Sequence, residues 1–359
     1  MKHRLFFLTI FIAFSSFPVS LFAASPQFIY SAWLPYWKKA SGTPEALLHI
    51  DHLNEISPFS YEVEQDGTIG DSMHLGAEPW TTLFAAASLS KVKIIPTISW
   101  IDGTAIYATL SATSSRALHV NDLVAMAHRN NFDGLDIDYE DKKVATKFYF
   151  SQFIKELATK LHKEKKVLSC TIEARTPPSS LYVIPKKVEY VNDYKVLNKY
   201  CDEVRIMTYD QTTADIQLAQ SKGKMMLYAP VADNDWVKKV IAEAAKTISP
   251  KKIMMGIPTY GYEFIVDRST ATTTYRKVRS INYADALLLA TSLGISPARN
   301  NAGERSFNYE KNGVLHYVSF NDAESIKAKI ALAKKLKLRG VTLFKIDGGA
   351  DPLFWNALK

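Results

Sequence analysis

Zinc chemistry finds no support in this sequence. Only two of its 359 residues are cysteines, Cys170 and Cys201; no Cys/His cluster has zinc spacing, and no His-Glu-x-x-His is present. Two cysteines in an exported chain could pair, but a core of this size needs no staple. Cys170 also sits inside a strand pattern that suits a small buried filler, so the bridge stays open at this stage. Long apolar runs are absent beyond the N-terminus, and no later stretch approaches membrane-spanning length. The N-terminus itself reads Met1-Lys2-His3-Arg4, an apolar run over residues 5–14, then small residues up to Ala23-Ala24-Ser25, the order of a secretory signal peptide. Ser15, Ser16 and Pro18 break the run too early for a good span; an uncleaved anchor is the alternative.

The expected product is therefore a secreted or cell-envelope chain of residues 25–359, without stable membrane insertion after residues 1–24 are removed. Losing Lys2 and Arg4 lowers its formal net charge from +8 to +6. The basic excess clusters in expected helices, at Lys142, Lys143, Lys147, Lys155, Lys160 and Lys163, and is read as solvated helix faces. Attraction to an anionic wall polymer is the weaker alternative. Nucleic acid is not an expected partner, and a monomer is expected.

Strand patterns at residues 29–37, 50–63, 92–100, 132–140, 166–174, 203–209, 252–260 and 340–346 alternate with helical patterns at 80–89, 115–130, 147–162, 192–200 and 236–248. Pro96 weakens the third strand. Asn321 with Glu324 three residues later resembles a capping box for a helix running to about residue 338. This rhythm predicts an α/β fold with a parallel sheet, and eight such units predict a (β/α)₈ TIM barrel. Residues 265–319, which carry Thr/Tyr-rich segments and one short helix, are read as a small α+β insertion between the seventh strand and the last helix.

The fourth strand, Phe132-Asp133-Gly134-Leu135-Asp136-Ile137-Asp138-Tyr139-Glu140, alternates apolar and acidic residues. On a strand, Asp136, Asp138 and Glu140 share one face, roughly 6.5–7 Å apart in succession, while Leu135, Ile137 and Tyr139 face the other way. Three carboxylates on a half-buried face repel one another, so at least one holds its proton more tightly than usual. A carboxyl group kept protonated near neutral pH is what protonation of a glycosidic oxygen requires. Calcium of the EF-hand kind is excluded, because positions six and twelve counted from Asp136 are Asp141 and Lys147. A metal-assisted sugar-nucleotide site on Asp136 and Asp138 stays open as an alternative.

Asp133-Gly134-Leu135-Asp136-Ile137-Asp138-Tyr139-Glu140 resembles the D-G-x-D-x-D-x-E signature of glycoside hydrolase family 18, the chitinase-like family. Met207-Thr208-Tyr209-Asp210 is similar to its M-x-Y-D, and Gly256-Ile257-Pro258-Thr259-Tyr260-Gly261 to its G-x-P-x-Y-G, in family order. Residues 56–61 and 322–329 resemble bacterial cell-wall and spore-cortex members, although no LysM-type repeat is present. The resemblance implies a retaining hydrolase of β-1,4-linked N-acetylglucosamine polymers, peptidoglycan or chitin-like, needing no metal and no cofactor.

It further implies that Glu140 is the acid and base, that Asp138 orients the substrate's acetamido group, that Asp136 tunes Asp138 by sharing a proton, and that Tyr209 bonds the acetamido oxygen. Asp210, Met207, Tyr260, Phe344, Trp100, Phe59 and Tyr36, at or near strand ends, are the expected substrate contacts. Phe344 stands where members usually carry Trp, and Glu173 and Arg175 stand where small or apolar residues are usual; these two either pair with each other or reshape the pocket. A lectin-like relative that has lost the acid is the competing reading, and this chain keeps Glu140.

Overall fold

The computed structural model describes residues 27–180, 189–223, 226–269 and 272–358; the expected signal peptide lies outside them. Eight strands carry the barrel: β1 Ile29–Pro35, β2 Glu55–Val63, β3 Thr97–Trp100, β4 Gly134–Tyr139, β5 Val167–Glu173, β6 Glu203–Met207, β7 Ile253–Pro258 and β8 Gly340–Phe344. Each pairs in parallel with its sequence neighbours, and β1 pairs with both β2 and β8, so the sheet closes. The eight-stranded expectation holds. Pro96 splits the third strand pattern as its missing N–H requires, leaving Lys93–Ile94 as a separate short strand on β2.

Helices cover the outside because each parallel crossover needs one. The helix Lys147–Lys163 buries Phe150, Phe153, Ile154, Leu157 and Leu161 at helical spacing. Three helices escaped the sequence reading, the first of them Lys39–Leu48, whose Ser41-Gly42-Thr43-Pro44 run reads locally as a loop. Gly103–Ser111 starts where Asp102 caps the amides of Thr104 and Ala105, and Ile216–Lys222 starts at Asp215, which caps Leu218. Asp-Gly-Thr reads locally as a turn, and seven residues are too few to show a period. The last helix, Ala323–Lys335, is capped one residue later than expected, by Asp322 with Ser325 in a reciprocal box. Asn321 is otherwise engaged: its amide donates to the Tyr260 carbonyl and its oxygen accepts from buried Lys329.

Between β7 and that helix, five antiparallel strands form a second sheet, in the order Thr274–Asn282, Tyr260–Asp267, Val314–Phe320, Arg305–Lys311, Ala298–Arg299. It has its own small core around Ile281, Ala286, Phe307, Val318 and Phe320. Fully buried Glu304 joins it to the barrel by accepting from the amides of Val231 and Ala232 at 3.0 and 2.7 Å, and it is braced within the second sheet by the Ser319 hydroxyl at 2.7 Å.

The question left open by the cysteines is resolved. Cys170 in β5 and Cys201 just before β6 form a disulfide with their Cα atoms 6.2 Å apart. Tyr139, on the helix-facing side of β4, donates its hydroxyl to His119 Nε2 at 2.6 Å, while His119 Nδ1 donates to the Gly67 carbonyl at 3.2 Å. Both ring nitrogens are thus satisfied in the neutral form. Burial of that imidazole lowers its pKa to about 4. The unfolded chain binds a proton here near pH 6.5 and the folded chain does not, so stability present above that pH is lost as pH falls toward 4. Urea unfolding is expected to show about 3 kcal/mol of acid-linked loss that a His119→Gln variant lacks. Identical pH slopes in the two proteins would overturn this assignment.

Candidate active site

The interior of this barrel is polar where barrel interiors are usually branched and aliphatic. Arg205 of β6 is wholly buried on the axis, donating to Glu203 at 3.0 Å and to Ser57 at 2.6 Å, with Glu55 at 3.4 Å. Burial alone would loosen its proton, but Asp136, Glu203 and Glu55 outweigh that and raise its pKa. Glu55, buried and facing Glu203, is pushed up to about 7.

One level higher sits Asp136. Its two oxygens accept from Trp33 Nε1 at 3.2 Å and from the hydroxyls of Thr97, Ser169 and Thr171 at 2.8, 2.7 and 2.8 Å, with the Arg205 guanidinium 3.6 Å away. Every partner donates. The charge of Asp136 acts on Asp138, the next inward-facing residue of the strand. Asp138 is almost fully buried and its Oδ1 has no partner. Burial, then the charges of Glu140 and Asp136, raise its pKa well above the usual carboxylate value. Glu140 follows at the strand's end, half-buried, its amide donating to the Trp100 carbonyl at 2.8 Å. Its pKa is raised by burial and by Glu173.

Immediately after Glu140 the chain turns through Asp141 in the left-handed region, φ 54°. The turn fits only against a glycine, because a Cβ on Gly103 would lie 2.0 Å from the Asp141 carbonyl oxygen. It sends Lys142 inward. The sequence reading of Lys142 as part of a solvated helix face is corrected here: its side chain is buried, 3.8 Å from Glu173 and 4.8 Å from the Phe150 ring centre, and Nζ has no hydrogen-bond partner. Lys143, Lys147, Lys155 and Lys163 remain exposed. Glu173 and Arg175 do not pair with each other. Glu173 takes Lys142 and the amide of Asn192 at 2.7 Å, while Arg175 lies between the rings of Tyr190 and Tyr194, 3.5 and 3.8 Å from their centres.

Aromatic rings complete the mouth. Tyr209 lies parallel to Phe344 with ring centres 5.3 Å apart, and Trp33 and Tyr260 meet Phe344 edge-on at 5.8 and 5.9 Å. Gly256 leaves room for this cluster, since a Cβ there would come within 2.9 Å of the Tyr209 ring. Asp210 accepts from the hydroxyls of Tyr260 and Tyr262 at 2.5 and 2.6 Å. This stacked acid column at the C-terminal mouth of a (β/α)₈ barrel coincides with a match of residues 32–349 to the model of glycosyl hydrolases family 18. The chain belongs to that family.

It is a glycoside hydrolase. Among family 18 relatives it is 26% identical over 318 residues to the uncharacterized glycosylase YvbX of Bacillus subtilis, covering 86% of this chain and 84% of that one. It is 25% identical to the cortical fragment-lytic enzyme of the same organism, covering 86% of this chain and 67% of the relative. The fold is shared with the Bacillus cereus spore cortex-lytic enzyme SleL, TM-score 0.74 at 22% identity over 93% and 74% of the two chains. It is shared equally with a chitinase from Chromobacterium violaceum, TM-score 0.73 at 22% identity over 92% and 98%.

The family 18 mouth gathers most of the residues singled out in the sequence: Asp136, Asp138 and Glu140 on β4, Met207, Tyr209 and Asp210 at the end of β6, Tyr260 after β7, and Phe344 on β8. Tyr36 and Phe59 stand at the rim, half-buried, each edge-on to Trp37 at 4.9 and 5.8 Å. Trp37 itself is 48% exposed and escaped the sequence reading, although a tryptophan just past the end of β1 was a signal for it. Trp100 is a correction. It shares the parity of Tyr139, its β4 partner, so it points to the helix layer and is buried against Tyr139 and His119.

Proposed function

We propose that this family 18 enzyme hydrolyses β-1,4 linkages in N-acetylglucosamine-containing glycans, peptidoglycan or chitin-like, with retention and with the substrate's own acetamido group as nucleophile. The observation that carries this reading is the Asp138–Glu140 pair, two carboxyl groups whose protons are held unusually tightly at the barrel mouth. Glu140 donates its proton to the glycosidic oxygen as the C1–O bond breaks. The acetamido oxygen closes on C1 to give an oxazolinium ring; water then opens it, returning a proton to Glu140.

An acetamido N–H supplies Asp138 with the partner its Oδ1 lacks, and positive charge building on the ring favours the ionised form of that carboxyl. Asp136, saturated by donors, keeps Asp138 aimed. Tyr209 holds the acetamido oxygen, and Phe344 with Tyr209 offers apolar ring area to the reacting sugar. Asp210, Met207, Tyr260, Phe59 and Tyr36 line the groove. No metal or cofactor takes part. The N-terminal segment would export the chain to the envelope, where such glycans lie, and relatives named for cortex fragments and chitin favour that substrate class.

Incubation with purified peptidoglycan and with chitin oligomers, with products identified by mass and anomer by NMR, tests the reading. Fully N-deacetylated oligomers are expected to stay intact. Their cleavage at the rate of the acetylated ones would remove the acetamido nucleophile from the account.

A further inference from the structure

We propose that Lys142 and Glu173 act as opposed positioning residues that set how tightly Glu140 holds its proton, an inference that rests on the role of Glu140 given above. β4 and β5 run in register from Gly134 opposite Val167 to Ile137 opposite Cys170. The same offset carried to the strand ends sets Glu140 opposite Glu173, on the face that already bears Asp136 and Asp138. Backbones of paired strands lie about 4.8 Å apart, so two carboxylates stand side by side at the mouth. Left alone, they would drive Glu140 to retain its proton.

Lys142 answers that repulsion. The Asp141 turn brings its ammonium into the protein beside Glu173, and with no hydrogen-bond partner Nζ acts as a point of positive charge between strand ends. Glu173 is kept in place by the side-chain amide of Asn192, whose Oδ1 is unpartnered and whose main-chain carbonyl accepts from Arg175 at 3.1 Å. The other charged or titratable groups around Glu140 are Asp136 and Asp138 below it on β4, Asp141 in the turn, and Tyr209 and Asp210 from the end of β6. Lys142 is the cation among them. Burial loosens its proton while Glu173, Asp138 and Glu140 oppose that loss.

The pair therefore acts in opposite senses: Lys142 eases Glu140 toward the ionised form and Glu173 toward the protonated form. A merely structural pair would change stability without moving the titration of a third group in two directions. The test follows the Glu140 side-chain carboxyl by ¹³C NMR, assigned by its absence in Glu140→Gln, in the full-length protein and in Lys142→Met, Lys142→Arg, Glu173→Gln and the Met/Gln double variant.

Lys142→Met is expected to move the Glu140 midpoint to higher pH and Glu173→Gln to lower pH, with Lys142→Arg and the double variant close to the parent. The basic limb of kcat/KM on the N-acetylglucosamine tetramer and on peptidoglycan should move the same way. Glu173 is half-exposed, so its glutamine variant should fold even if the buried Lys142→Met does not. Superimposed Glu140 titrations in the parent and Glu173→Gln would overturn the proposal. Shifted titrations in a protein that cleaves neither glycan would overturn the hydrolytic reading and leave the electrostatic pair standing.

Discussion

Turnover of N-acetylglucosamine oligomers is expected to fall by about 10³-fold in a Glu140→Gln variant, the scale of a lost general acid. Glutamine matches the shape of the side chain but carries no ionisable proton, so neither protonation of the leaving oxygen nor activation of water survives. The loss should appear in kcat, with KM within a few-fold of the parent, because the amide can still contact a bound glycan. Folding should be unharmed. Burial and Glu173 already disfavour the charged form of Glu140, so a neutral amide removes a cost at neutral pH. The parent's rate should decline as pH rises through the elevated Glu140 pKa, since the protonated acid is the competent form. A Glu140→Gln protein with parental turnover would sink the assignment, and one that merely unfolds would be exposed by its melting curve.

The largest expected effect on stability belongs to Arg205. Replacing it with Met leaves Glu203, Glu55 and Asp136 facing one another inside the barrel without their central cation, a change of the kind that costs about 3–5 kcal/mol. The burden falls most on Glu203, which is wholly buried; burial would raise its pKa, and it stays below the usual glutamate range because Arg205 and Arg339 outweigh that. Glu203 keeps Arg339 at 3.1 Å, so the barrel should be weakened and not abolished. Adding Glu203→Gln should recover part of the loss, because the second substitution removes the charge the first one stranded. Urea unfolding of the two single variants and the double closes a cycle whose coupling is expected to exceed about 1 kcal/mol, as for groups within one buried network. Additive losses would show that Arg205 and Glu203 do not depend on each other.

The barrel and the β4 acid column were legible in the sequence because both rest on periodicity. Alternation of two places Asp136, Asp138 and Glu140 on one face whatever surrounds them, and strand–helix alternation demands parallel crossovers. What stayed hidden depends on contacts distant in sequence. Lys142 belongs by composition to a basic stretch, and only the Asp141 turn, packed on Gly103, diverts it inward. Trp100 was misplaced because a tryptophan at a strand end attracts attention, while its parity with Tyr139 already pointed outward. Arg205 lies two residues before a recognisable motif, yet nothing local announces that its partners come from β2 and β4.

Glu304 has a bearing on how a long glycan would be handled. Swinging the second sheet away from the barrel would strip that carboxylate of its two barrel-side donors, the amides of Val231 and Ala232, each loss costing about 1–3 kcal/mol when the group stays dry. The sheet then behaves as a fixed jaw and not a hinged one. A polymer held against it would have to slide lengthwise to be released, and thermal motion of the sugar chain would set the pace of escape.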